Sequence, residues 1–548
     1  MQRKILSTWV LLLSLSVPAA DLTAAGSAPS AKTNQLFNSS EVEPSGNSAI
    51  HYIDARLYEL RDDDSHTIDA LKKALEADPN SSYLHGELAR NLAQSNRFEQ
   101  ASLEADRALE LDPNNPRMYL LRGKLYSVRG NAEQAVLEYE KCIGQKSDLE
   151  ECYTMLAREY VLKKNVPKAL QSIRRLLQAD PDSVAGYYFL GTLYAGDSKK
   201  SPLAIQAFRQ ALQEDPDDVR SLAALGQLYL DKKMYPEALQ VLLKIEHLVP
   251  HDISLKLRIG LVYYEMKQNE QAIDRFTKAL QLSPKNDRVS YYLGLLEAQA
   301  KDYDKAREYL QNIPTGSELY PEAAPRLILI YQELGDFEGA VAYAKSALKK
   351  RGDIPELYES LAAVYGKKGQ YAQAVKTIDQ ALKRFPNQEK LLFTKGTLLD
   401  KLGEFEKSIA VMEALLAVNP NNASALNYIG YSYADRGLKL QESLKMLEKA
   451  HRLKPEDGFI LDSLAWVHYK LGNPTKALEL LHRAIQLSPD EPTILEHLGD
   501  VHLERGEKEK AREYFQAAAA AAVKDTNPEA RELEDRKRIE SKLTKLSN

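Results

Sequence analysis

The 548-residue sequence predicts an all-α protein, built as a linear array of about fourteen helical hairpins. Three observations carry this prediction. Each repeat interval contains two helical apolar patterns of about 14 residues, separated by a turn such as "KLGE". Small residues return at fixed positions in both patterns. Proline recurs at intervals of 34 or 35 residues, or at multiples of 34, at Pro79, Pro113, Pro181, Pro216, Pro250, Pro284, Pro386, Pro420, Pro455 and Pro489.

The N-terminal segment, residues 1–25, has the pattern of a secretory signal. Arg3 and Lys4 precede an apolar run from Ile5 to Val17, and Ala19 and Ala25 mark two candidate cleavage points. A retained membrane anchor is the competing interpretation, but the run is shorter than the roughly 20 apolar residues that cross a bilayer. We therefore expect an exported, periplasmic protein, with any association with the outer membrane made through partners.

Residues 26–47 are small and polar, which predicts a flexible leader. A lipid anchor of the bacterial lipoprotein type needs a cysteine directly after the cleavage point, and the first cysteine of this sequence is Cys142. No direct lipid anchor is therefore expected.

The repeat array occupies residues 48–523. Weaker boundaries near Ser147, Glu318 and Gly352 complete the 34-residue ruler, so that units end near residues 79, 113, 147, 181, 216, 250, 284, 318, 352, 386, 420, 455, 489 and 523. A charged segment with spaced apolar residues, 527–546, has the pattern of a capping helix.

Small residues at one position of each first helix predict close contact between the two helices of a hairpin. Gly226, Gly260 and Gly294 stand at this position, and only Ile328 departs from it. Glycine inside a helix costs about 1 kcal/mol relative to alanine, so its recurrence indicates a packing requirement. A large side chain there should overpack the contact.

This pattern resembles the tetratricopeptide repeat, most clearly in "LGQLYLDKKMYPEALQVLLKIEHLVP" and "IGLVYYEMKQNEQAIDRFTKALQLSP". The resemblance implies a right-handed α-solenoid superhelix of about 13–14 hairpins with a C-terminal capping helix. It also implies that the first helices line a concave groove and that the second helices form the outer wall.

The run that begins "LNYIGYSYADRG" and continues through "ILDSLAWVHYKLG" further resembles bacterial periplasmic and outer-membrane repeat adaptors of the LbcA type. Those adaptors deliver cell-wall hydrolases to a carboxyl-terminal processing protease. The resemblance implies a non-catalytic scaffold whose partners are proteins, including a protease and its substrates. The family is typically lipidated, and this chain lacks the cysteine for it.

On the family geometry, one stripe of the last three units faces the groove and forms an aromatic and acidic wall. His497 and Glu504 also lie on this stripe. The predicted partner-binding residues are Asn427, Tyr428, Tyr431, Asp435, Asp462, Trp466, Tyr469, Lys470, Glu496 and Asp500. The alternative is that these side chains fill the inner side of a tightly wound array.

The same positions in earlier units are apolar, which indicates a second groove patch because contiguous apolar patches often mark interaction sites. Its residues are Tyr188, Phe189, Leu257, Leu261, Tyr264, Tyr291, Tyr292 and Leu295. A second hypothesis for function is a regulatory arm of an envelope enzyme system that binds a glycan or small molecule at the aromatic and acidic wall.

The sequence carries no HExxH, GxxxxGK, GxGxxG or GxSxG motif, so no catalytic residue, metal site or cofactor is predicted. With 73 basic and 78 acidic residues, the chain lacks the positive field that gathers nucleic acid. Cys142 and Cys152, the only cysteines, lie where helix ends of neighbouring hairpins meet. They form either a disulfide or two buried thiols.

Overall fold

A computed structural model describes residues 46–145, 149–523 and 530–547. Within these ranges the regular structure is helical throughout, and the predicted all-α array of helical hairpins is confirmed. The predicted signal segment and the predicted leader up to Ser45 lie outside the described residues, as do residues 527–529 of the predicted cap. The chain divides into two compact units, the first of which ends at Leu282.

The first unit contains seven hairpins, in which each odd-numbered helix packs against the even-numbered helix that follows it. Its helices are α1 (Asn47–Glu59), α2 (Asp64–Ala77), α3 (Ser82–Gln94), α4 (Phe98–Leu111), α5 (Pro116–Val128), α6 (Ala132–Gly144), α7 (Glu150–Leu162), α8 (Val166–Ala179), α9 (Val184–Ala195), α10 (Ser201–Glu214), α11 (Val219–Asp231), α12 (Tyr235–Leu248), α13 (Ile253–Glu265) and α14 (Asn269–Leu282).

The second unit contains seven more hairpins and one final helix, α29, that packs on α28. Its helices are α15 (Asp287–Gln299), α16 (Tyr303–Gln311), α17 (Tyr320–Glu333), α18 (Phe337–Lys350), α19 (Pro355–Lys367), α20 (Tyr371–Arg384), α21 (Glu389–Lys401), α22 (Phe405–Val418), α23 (Ala423–Asp435), α24 (Leu440–Leu453), α25 (Gly458–Lys470), α26 (Pro474–Leu487), α27 (Pro492–Glu504), α28 (Lys508–Val523) and α29 (Ala530–Ser547).

The turn inside each hairpin follows from its sequence, as the "KLGE" turn between α21 and α22 shows. Gly403 has φ +77°, the left-handed conformation that glycine adopts without strain. Its N–H donates to the carbonyl of Asp400 at 2.8 Å, and the N–H of Glu404 donates to Leu399 at 2.9 Å. These bonds satisfy carbonyls at the end of α21 and reverse the chain.

Polar side chains start many first helices by accepting a hydrogen bond from a free backbone N–H. Asp252 accepts from the N–H of Leu255 at 3.1 Å, and Asn422 accepts from that of Ala425 at 3.0 Å. Such a cap is worth about 1 kcal/mol. The polar residues just after the repeat-terminal proline therefore set where the next hairpin begins.

Where the small residue of a first helix is glycine, it faces a larger side chain of the second helix. An ideal Cβ built on Gly260 would lie 2.4 Å from Cε1 of Phe276, and one on Gly191 would lie 2.6 Å from Cε1 of Phe208. Both phenylalanines are fully buried. Glycine is present at these positions because the ring of the second helix occupies the space of a side chain.

Ile328, the one departure from the small-residue rule, is compensated at the facing position. Sixteen residues after Gly260 stands Phe276, whereas sixteen residues after Ile328 stands Ala344, and both Ile328 and Ala344 are fully buried. The large and the small residue have exchanged helices. Such an exchange conserves the volume of the contact, which is the substitution that packed cores tolerate best.

Cys142 of α6 and Cys152 of α7 form a disulfide, with their Cα atoms 6.2 Å apart. Both residues are fully buried. The bond joins the end of one hairpin to the start of the next, so it restrains the contact between these two hairpins.

We expect the double variant Cys142→Ala/Cys152→Ala to lower the stability of α6 and α7 by about 2 kcal/mol, because the disulfide restricts the unfolded chain. The effect is modest because the loop that the disulfide closes is short. Hydrogen exchange of the α6 and α7 amides measures this effect. Reduction of the wild type should reproduce it, and unchanged exchange in both samples would contradict the prediction.

Candidate partner-binding surface

The first helices of the last three hairpins contact one another through the predicted wall, and these contacts all lie within the second unit. Helices α23 and α25 pack directly together, and α25 packs on α27. Tyr431 of α23 lies 6.2 Å, ring to ring, from His497 of α27. Residues of the predicted stripe are therefore in contact with one another across three hairpins.

Trp466 lies at the centre of this surface in a stack of rings. The His497 ring is 3.9 Å from it and nearly parallel, at 16°, and the Tyr469 ring is 4.9 Å away at 26°. Trp466 is only 7% exposed and belongs to the hydrophobic core of these hairpins. The sequence-based expectation that Trp466 faces a partner is corrected: its ring is mostly hidden by its own chain.

Asp462 is also buried, and it holds the histidine of the stack. Its Oδ1 lies 2.8 Å from Nδ1 of His497, and both side chains are almost completely shielded from solvent. Because an ionised carboxylate only accepts hydrogen bonds, this contact favours a proton on Nδ1. Asp462 therefore orients His497 against Trp466, and its predicted role as a groove-facing carboxylate is corrected.

Glu496 and Asp500 are occupied by the final helix. Arg538 of α29 donates two hydrogen bonds to Glu496, from Nε at 2.8 Å and from Nη2 at 2.7 Å. Lys542 donates to Glu496 at 2.7 Å and to Asp500 at 2.6 Å. The two carboxylates thus bind the cap of the same chain. The sequence analysis assigned them to a partner, and the structure instead pairs them with Arg538 and Lys542.

The two carboxylates respond differently to this environment. Burial acts to raise the pKa of Glu496, but hydrogen bonds from Arg538 and Lys542 hold that pKa below its ordinary value. For Asp500, burial raises the pKa above its ordinary value against the attraction of Lys542. Glu496 is therefore the stronger ionic attachment of α29.

Four predicted residues remain at or near the surface beside the stack. Asp435 and Lys470 are exposed, and Tyr431 and Tyr469 are half-buried. The Lys470 ammonium lies 4.8 Å from the centre of the Trp466 ring. Burial raises the pKa of Tyr469, and its hydrogen bond with Glu504 adds to this effect. These residues form a rim around a rigid aromatic base.

Asn427 and Tyr428 lie at the edge of this region and are half-buried. The Tyr428 hydroxyl is 2.9 Å from that of Ser408, and its ring packs edge-on against Phe393. Oδ1 of Asn427 and Nε1 of Trp466 have no hydrogen-bond partner among the described residues.

The second predicted patch is divided between the two units. In the first unit, Tyr188 and Phe189 touch edge to face, and Arg220 stacks 5.4 Å from the Tyr188 ring. Leu257, Leu261 and Tyr264 lie on α13 of the same unit, with Leu261 buried. In the second unit, Tyr291 and Tyr292 are buried and Leu295 is half-buried on α15.

The sequence analysis missed how the histidines are used. His502 stands where most first helices carry tyrosine; it is buried, stacks on Tyr514 at 5.3 Å and lies 3.0 Å from Oε2 of Glu507. Burial lowers the pKa of His502, although the hydrogen bond that its ring makes to the Glu507 carboxylate acts to raise it. Burial likewise lowers the pKa of His451 and of His468.

We expect stability of the C-terminal hairpins to fall as pH falls below about 6.5, the ordinary histidine pKa. The pKa values of His451, His468 and His502 are lower in the folded chain than in the unfolded chain, so the unfolded chain binds protons at a higher pH. Acid therefore favours unfolding. Thermal unfolding followed between pH 7.5 and 5.5 tests this. His502→Tyr, which restores the residue typical of the position, should reduce the acid sensitivity; an unchanged pH profile in that variant would contradict the assignment to His502.

No group of three or more histidine, cysteine, aspartate or glutamate residues in the described ranges is arranged to hold a metal ion. None of the described helices has both the length and the apolar character that crossing a bilayer requires.

Comparison with protein families returns one description, the tetratricopeptide repeat, for most of the chain. The matched residues are 67–125, 116–148, 154–219, 198–256, 263–316, 326–389, 367–428 and 463–525. The TPR repeat-containing protein PA4667 of Pseudomonas aeruginosa is 47% identical over 53 residues, which are 10% of this chain and 9% of that protein.

Several solved structures are similar to this chain in fold. The Cut9–Hcn1 hetero-tetramer of the APC/C is 13% identical, with 90% of this chain and 96% of that chain covered and a TM-score of 0.35. Yeast Tom70 is 16% identical, with 84% and 96% covered and a TM-score of 0.33. A tetratricopeptide repeat protein from Parabacteroides merdae is 18% identical, with 48% and 99% covered and a TM-score of 0.39.

Proposed function

This chain belongs to the tetratricopeptide repeat family, and from that premise we propose that it is a non-catalytic scaffold of the bacterial cell envelope that binds partner proteins. Tetratricopeptide repeats mediate protein–protein interaction, and proteins built from them generally act without catalysis. The envelope location is supported by the charged start and short apolar run of residues 1–25.

The observation that carries the proposed binding surface is the rim around Trp466. Tyr431, Asp435, Tyr469 and Lys470 retain exposure on the first helices α23 and α25, whereas Trp466 beneath them is locked between rings. A rigid base limits the side-chain entropy lost on binding, and aromatic residues often supply most of the binding energy of an interface. The rim carries both charge signs, which suits a polar protein surface.

The finer role that we propose is delivery of substrates to a processing protease. It is supported by the resemblance of the run from Leu426 to repeat adaptors of the periplasm. A scaffold in this role binds two proteins at once, so the apolar positions of α9 and α13 in the first unit provide a second candidate surface.

Crosslinking of the protein in the envelope of its source cell, followed by affinity capture and mass spectrometry, identifies the partner. The partner is then titrated against Asp435→Lys and Lys470→Glu, with Glu448→Lys as the control because Glu448 is exposed on the second helix α24. We expect the two rim variants to weaken binding by about tenfold, or 1.4 kcal/mol, and the control to bind like the wild type.

Equal affinity of all three variants would exclude the rim as the binding surface. Capture of no protein, together with saturable binding of small glycans, would instead support a glycan-binding regulatory arm.

A further inference from the structure

The first described helix, α1, carries an apolar stripe that no described residue covers. Ile50 is 59% exposed, Ile53 58%, Leu57 48% and Leu60 82%. Spacings of three and four residues place Ile50, Ile53 and Leu57 on one side of the helix, and Leu60 follows in the turn directly after α1. The opposite side of α1, with Ala55 and Tyr52, packs into the first hairpin and toward α3.

The repeat register indicates that residues of this stripe occupy positions at which other first helices pack against the preceding hairpin. Ile50 and Leu57 occupy the positions held in α13 by Leu255 and Val262, which are buried in one cluster with Leu242 of the preceding hairpin. Other first helices bury the same two positions, including the pairs Val289 and Leu296, Leu357 and Val364, Leu391 and Leu398, Ile460 and Val467, and Ile494 and Val501. Helix α1 therefore carries the apolar residues that other first helices bury against the hairpin before them, but the described residues contain no hairpin before α1.

The charges beside the stripe are self-complementary. Asp54 lies on α1 beside the stripe, and Arg61 lies in the turn just after α1, seven residues later; both are exposed. Arg61 makes no ion pair with any described residue, and Asp54 has only His51 at 3.9 Å. If two α1 helices cross antiparallel near Leu57, Asp54 of each lies beside Arg61 of the other, and Ile53 lies against Leu60.

We propose that a second copy of this chain covers the stripe, through an antiparallel α1–α1 contact on a twofold axis. The same patch serves both copies, as closed dimers require. Pairing of four side chains per copy buries on the order of 1,000 Å² in total, the lower bound for a specific interface. The dimer is therefore reversible and depends on protein concentration.

Sedimentation velocity of the full chain over a wide range of concentration tests the proposal. We expect the wild type to pass from monomer to dimer, and Ile53→Glu/Leu57→Glu to stay monomeric with unchanged helicity, since both side chains are exposed in the single chain. Asp54→Arg and Arg61→Asp should each weaken the dimer about tenfold, a loss of 1.4 kcal/mol. Their combination should restore it, because the ion pair is then reversed.

A crosslink gives an independent readout. Leu57→Cys lies at the twofold axis and should form an intermolecular disulfide on oxidation, whereas Leu103→Cys, 69% exposed on α4, should not. A wild type that stays monomeric at every concentration would overturn the proposal and leave a preceding segment of the same chain or another protein as the occupant. Persistence of the dimer in Ile53→Glu/Leu57→Glu would overturn it equally.

Discussion

Gly260→Leu is expected to destabilise the hairpin of α13 and α14 by more than about 3 kcal/mol, because the new side chain must enter space that Phe276 fills. Even a Cβ at this position would lie 2.4 Å from the Phe276 ring. That ring is fully buried, so it cannot turn away into solvent. Hydrogen exchange of α13 and α14 amides measures the loss locally, which is appropriate because repeat arrays do not unfold as one unit.

Gly226→Ala is the matched control, since Gly226 holds the same repeat position one hairpin earlier. A Cβ on Gly226 meets Val241 at 3.4 Å, an ordinary contact, and alanine is a better helix former than glycine by about 1 kcal/mol. We expect this variant to be as stable as the wild type or more stable. A similar loss in both variants would show that helix contact distance does not govern this position.

Trp466→Ala should destabilise the last three hairpins by about 3–5 kcal/mol, the usual cost of truncating a buried tryptophan. The variant removes the ring between His497 and Tyr469, and it leaves a cavity in the core of α25 and α27. Chemical denaturation together with exchange of the α25 and α27 amides measures the effect.

Lys470→Ala controls for the surface contribution, because Lys470 is exposed and its ammonium lies over the face of the same ring. Removing an exposed cation from an aromatic face costs about 0.5–1 kcal/mol. Retained stability in Trp466→Ala with loss of partner binding alone would contradict the buried position and restore Trp466 as a direct partner contact.

The repeat register predicted which residues share one stripe, but it did not predict which side chains of the same chain contact them. Position along the helix placed Tyr431, Trp466 and Glu496 on one surface. The partners of these residues lie far along the sequence: His497 is 31 residues from Trp466, and Arg538 is 42 residues from Glu496. Repeat periodicity placed Trp466 and His497 on one stripe, but it carries no information on whether their rings stack or on which side chains of α29 meet Glu496.

The sequence by itself determined the repeat length, the hairpin architecture and the glycine positions, because each depends on contacts within 34 residues that recur along the array. Gly260 and its turn signals are readable without coordinates for this reason. The tertiary structure alone decided that Asp462 and Glu496 are satisfied within the chain and that Ile50 and Leu57 remain uncovered. Those outcomes depend on how successive hairpins pack, and side-chain volume and ion pairing between hairpins are set by three-dimensional distance rather than by position in the repeat.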